Sequence, residues 1–72
     1  MTLAQIIEKE SKNRHEGGDF GINACKDSIR GTLKYSSKSL FQLLEEYTKR
    51  ANEDIFFNKT MVLACWELIN EQ

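Results

Sequence analysis

The residue types in this 72-residue chain that could do chemistry are few: two cysteines, Cys25 and Cys65, one histidine, His15, and the acids near it, such as Asp19. Nucleophilic catalysis would need a thiol beside His15 with an acid to orient the imidazole. All three residue types are present, but neither cysteine sits in a recognisable motif, and 72 residues leave little room for a cleft. A structural zinc site needs four ligands, usually paired along the chain. Here no CxxC, CxxH or HExxH spacing occurs, and the cysteines lie forty positions apart. Gly17, Gly18 and Gly21 follow no strand and precede no Lys-Ser or Lys-Thr, so they predict turns and not a phosphate loop. Glu8, Glu10, Glu45 and Glu46 have the spacing of solvated helix faces. The expectation is therefore a protein that is not an enzyme and needs no cofactor or metal.

The charge pattern is more suggestive. Lys26, Arg30, Lys34 and Lys38 recur every four residues, so on a helix they form a slowly drifting ridge. Residues 26–40 carry four positive charges and one negative, whereas the whole chain has a formal charge of -1. That ridge suits either an acidic patch on another protein or, as in a helix-turn-helix module, duplex DNA, with Ser36, Ser37 and Ser39 donating to phosphates. It also suits a helix face that merely meets water. Glu45 and Glu46 turn the following helix acidic after its first turn, which weighs against nucleic acid. The overall charge gives no bulk attraction to nucleic acid or an anionic membrane.

The elements that must carry these residues centre on Met61 to Ile69, the most apolar run, which holds the sole tryptophan and is broken only by Glu67. Thr2 and Gln5 form a capping box ahead of a helix over about Leu3 to Lys12. Its short apolar stripe (Leu3, Ile6, Ile7) predicts a lid on something else. Ser39 and Gln42 form a second capping box, and the helix after it is the clearest in the chain. Its stripe is Leu40, Leu43, Leu44, Tyr47 and Ala51, with Glu45–Lys49 and Glu46–Arg50 as i,i+4 pairs in the favourable order. Between these helices the pattern supports two readings. One is a helix from about Ala24 to Tyr35, capped by Asn23 and tolerating Gly31. The other is a hairpin pairing 20–22 with 33–35, disfavoured because an isolated two-stranded ribbon is weak. The C-terminal helix starts either at Thr60 or near Asp54; in the second case it runs through Ile55, Phe56 and Phe57 and is apolar over most of its circumference.

The chain is therefore expected to be one all-α domain over residues 1–72, a small bundle of three or four helices packed around the C-terminal apolar helix. Its 8.3 kDa predicts a folded surface of roughly 4,600 Å². The cysteines are expected to be buried free thiols. No signal-peptide pattern opens the chain and no apolar run reaches bilayer length, so the expectation is a cytoplasmic protein with no membrane partner.

Seven aromatics are more bulk than so short a core easily holds. Adjacent pairs such as Leu40-Phe41 and Phe56-Phe57 cannot both point along one line of a helix. One member of each is expected at a surface, and Phe41, Phe56 and Phe57 are the candidate anchors for a partner protein, with a homodimer as one form of it. The expected function is that of a small regulatory or inhibitory protein acting by protein–protein binding through these aromatics and the ridge Lys26, Arg30, Lys34 and Lys38. The alternative is a small DNA-binding regulator.

Overall fold

In the computed structural model, which describes residues 1–72, four helices follow in order: α1 (Leu3–Lys12), α2 (Ile22–Tyr35), α3 (Leu40–Glu53) and α4 (Thr60–Asn70). There is no strand, so residues 20–35 resolve to helix and not to a hairpin. α4 is the hub and packs against each of the other three helices. It buries Val62, Leu63, Ala64, Cys65 and Leu68, leaving only a narrow arc around Trp66 and Asn70 to solvent. An 11-residue helix apolar over so much of its girth is stable only when enclosed. α1 encloses it with Ile6, α2 with Ile22, Cys25 and Ile29, and α3 with Leu40, Leu43, Tyr47 and Ala51.

The helix starts show how local chemistry divides the chain. Both capping boxes form. Thr2 Oγ1 accepts from the Gln5 backbone N–H at 3.2 Å while Gln5 Oε1 accepts from the Thr2 N–H at 2.8 Å. Ser39 and Gln42 repeat the pattern at 3.2 and 2.7 Å. α2 begins differently from the expectation. Asn23 lies inside the helix, exposed, and Gly21 takes the cap position with no side chain to offer. The loop supplies the missing acceptor: the Ile22 N–H donates to the His15 carbonyl at 2.6 Å. The loop can close this tightly only over glycine, because a Cβ on Gly21 would sit 2.1 Å from the Gly17 carbonyl oxygen. Gly18 supplies the left-handed backbone, φ 79°, that turns the chain back.

The continuous helix from Asp54 onward does not form. Asp54 Oδ1 accepts from the Phe56 N–H at 2.9 Å, and Asn58 Oδ1 accepts from the Thr60 N–H at 3.1 Å. These two short side chains bind backbone donors that a helix would have used, so α3 stops and α4 starts after six intervening residues. The chain's accessible surface is 4806 Å², a little above the size-based expectation, in keeping with the apolar side chains left outside.

Candidate functional site

The four residues of the basic ridge do fall on or beside α2, but three of them are occupied. Lys26 is only 9% exposed. Its ammonium donates to Glu71 Oε2 at 2.7 Å and lies 3.1 Å from Glu67 Oε1, the first at the C-cap of α4 and the second in its last turn. Arg14, from the loop before α2, reaches the other Glu67 oxygen and also pairs with Glu16. Glu67, the one charge in the apolar run, is thus gripped from two sides. The hydrogen bond it donates to Glu71, and then its interactions with Glu67, hold the Lys26 ammonium above its ordinary pKa against the opposing effect of burial. Reciprocally, Lys26 holds the Glu71 carboxyl below its ordinary value, and Arg14 does the same to Glu16. Arg30 pairs with Asp27 at 2.9 Å and Lys38 with Glu46 at 2.7 Å. Lys34 alone of the four is exposed without an ion pair. Two of the three serines are engaged as well: Ser39 caps α3, and Ser36 Oγ accepts from the Lys38 N–H at 3.1 Å, while Ser37 is exposed.

The two i,i+4 pairs expected on α3 are absent. Glu46 turns to Lys38, and the Arg50 guanidinium lies over the Phe57 ring, 4.7 Å from its centroid. Phe57 in turn packs against Tyr47 with ring centroids 5.8 Å apart. Of the three anchor candidates, Phe57 is therefore half-buried against the core, whereas Phe41 and Phe56 are 65% and 89% exposed. In both adjacent apolar pairs one member goes in and one stays out: Leu40 is buried beside Phe41, and Phe57 is covered beside Phe56.

The exposed apolar residues form two sites. The first is the α3–α4 turn, where Ile55 and Phe56 are 85% and 89% exposed on backbone pinned by Asp54. The second is an open groove of about 400 Å³ where the start of α1 meets the outer face of α3, lined by Leu3, Phe41, Leu44, Glu45, Thr48 and Lys49. Tyr35 and Phe20, at the two ends of α2, are exposed singly. That Leu3, Leu44 and Lys49 line one groove was not legible in the sequence, because their juxtaposition depends on how α1 lies across α3. Arg14 and Glu71 escaped it because their partners are distant in the chain. Glu67 did leave a signal, as the lone charge inside an apolar run.

The thiols are enclosed. Cys65 donates to the Leu40 carbonyl at 3.3 Å, and Cys25 accepts from Asn58 Nδ2 at 3.6 Å. Both are free and buried, and burial pushes the Cys65 thiol up to about 11. His15 is in the exposed loop, its carbonyl capping α2. No three His, Cys, Asp or Glu side chains converge to form a metal-binding group. No helix is long and apolar enough to cross a membrane. Comparison with protein-family models, with curated proteins and with solved structures finds no match to this chain.

Proposed function

We propose that this chain acts without catalysis, as a small protein that binds another protein and thereby regulates or inhibits it. The observation that carries the reading is the Ile55-Phe56 pair. A core of thirteen residues closes without it, yet both side chains stand in water on a turn fixed by the Asp54 cap. Leaving them exposed forgoes burial worth about 1.5–3 kcal/mol for each side chain. A partner with an apolar pocket recovers that energy, and because the turn is already fixed, little ordering of it opposes binding. Phe41 is a second anchor of the same kind. The basic residues weigh against the duplex-binding alternative, because Lys26, Arg30 and Lys38 already face carboxylates. Two unpaired thiols suit a reducing compartment, which supports the cytoplasm as its location.

The test is quantitative affinity capture from the native host with the wild-type chain and with Phe56→Ser. The reading expects a stoichiometric partner that the wild type retains and Phe56→Ser loses, with unchanged helicity by circular dichroism. Equal recovery by both chains removes Phe56 as the anchor. A wild-type chain that retains nothing, and shifts duplex DNA in a salt-dependent way, overturns the reading in favour of nucleic acid.

A further inference from the structure

The groove between α1 and α3 has a charge arrangement that identifies its occupant. Phe41, Glu45, Thr48 and Asn52 succeed one another at helical spacing along α3, so they form one outward stripe, with Lys49 beside it. Glu45 and Lys49 are exposed and stand one turn apart on the same flank, yet neither belongs to any of the chain's ion pairs. On the other flank, Leu3 and Leu44 provide apolar walls. At the far end of the stripe the Met1 amine is hydrogen-bonded to Asn52, which holds a half-exposed methionine side chain there.

An isologous contact demands a surface that complements itself: where residue i meets j, j must meet i. This stripe meets that requirement in one orientation. Glu45 and Lys49 are separated by about 6 Å along the helix axis. A twofold axis at the level of Tyr47, with the two copies of α3 antiparallel, brings Glu45 of each copy opposite Lys49 of the other. The operation keeps both residues on the same flank, so two ion pairs form at once. It also carries Phe41 of each copy to the Asn52 end of the other, against Met1. A parallel pairing would carry Glu45 and Lys49 of the two copies to opposite flanks, where neither meets an opposite charge. We infer that the outer face of α3, with the start of α1, binds a second copy of this chain in an antiparallel twofold dimer, with Phe41 as its anchor and Glu45–Lys49 as its reciprocal ion pairs. This rests on the reading that the chain works through protein–protein contact and assigns one of its two exposed apolar sites. A 14-residue helix presents a face about 21 Å long, a small interface, so the dimer belongs at micromolar concentrations.

The test is sedimentation velocity on the full chain from about 5 µM to about 500 µM, the range in which small interfaces associate. The wild type is expected to pass from monomer to dimer, and Phe41→Ser to remain monomeric with unchanged helicity. Glu45→Lys alone and Lys49→Glu alone each place two like-charge pairs at the contact and are expected to weaken it at least tenfold. Mixed together, those two variants restore opposite charges at both positions, so a heterodimer is expected where neither variant pairs with itself. A wild-type chain monomeric throughout the range overturns the inference. So does dimerisation of both charge variants at wild-type affinity. Phe56→Ser is expected to dimerise normally. If the chain is monomeric but still retains a partner that Phe56→Ser loses, the dimer fails and the proposed function survives.

Discussion

The two sides of this bundle use similar residues to opposite ends. On the side where α2 meets the end of α4, charges lie among apolar residues and every one has a partner: Arg14 and Lys26 hold Glu67, and Lys26 also holds Glu71. On the outer face of α3, charges again lie among apolar residues, but Glu45 and Lys49 hold nothing and Phe41 stands in water. The first side is closed by interactions within the chain, and its polar atoms are satisfied. The second is left open, with apolar side chains and charges that have no partner within the chain. Charge density alone therefore does not mark an unpartnered surface. What distinguishes the sides is whether the charges have already found partners.

Substitutions that separate stability from binding test this contrast. The largest effect belongs to the hub. Leu63→Ala in α4 is expected to cost about 2–5 kcal/mol by urea denaturation, a large part of the roughly 4–10 kcal/mol available to a chain this size. Phe41→Ser on the open side should change stability by no more than about 0.5 kcal/mol. Equal losses would mean that the open side is part of the core.

Alkaline pH comes next. The Cys65 thiol titrates near 9.0 in the unfolded chain and at about 11 when buried, so its contribution is complete below pH 9. As pH rises, the unfolded chain gives up the proton first and stability falls, by about 2–3 kcal/mol once pH passes 11. Tyr47, also raised by burial, and Lys26, raised by its carboxylate partners, add losses of the same sign. Denaturation midpoints between pH 8 and 11 should fall, and Cys65→Ala should flatten part of the slope. An unchanged slope would mean that the thiol is not enclosed.

On the closed side, Lys26→Ala is expected to cost about 1–3 kcal/mol, because it leaves Glu67 partly covered with one partner fewer. Lys26→Met should cost less, since its chain refills the volume. Lys34→Ala, at a position with no ion pair, should stay within about 0.5 kcal/mol. Comparable effects at 26 and 34 would show the ridge to be one solvated face. The smallest effect is in acid. The Glu71 and Glu16 carboxyls are held below their ordinary values, so their contribution is present at neutral pH and is lost as pH falls from about 4.5 through the folded values. Thermal melts from pH 6 to pH 3 should show this decline, reduced in Glu71→Gln.

Much of the fold was legible because its signals are local. The Thr2–Gln5 and Ser39–Gln42 boxes mark two helix starts within four residues each, and the stripe from Leu40 to Ala51 names the buried face of α3. The start of α2 was not legible, because its cap comes from the His15 carbonyl and depends on how closely Gly21 passes Gly17. The start of α4 was ambiguous because Asp54 and Asn58 are weak signals beside the apolar block they interrupt. At the candidate sites the four-residue spacing of the basic residues was real, but the availability of Lys26 depended on Glu67 and Glu71, some forty positions away, and that of Lys38 on Glu46 in the next helix. That one of Phe56 and Phe57 stays outside followed from their adjacency. Which one does so was decided by Tyr47 and Arg50.

The most direct measurement of the contrast is a dilution series of amide nuclear magnetic resonance spectra. On dilution, the signals that shift are expected to cluster at Leu3, Phe41, Leu44, Glu45, Thr48 and Lys49, while those around Arg14, Lys26, Glu67 and Glu71 hold still. Shifts centred on the second group, or none at all up to millimolar concentration, would contradict this expectation.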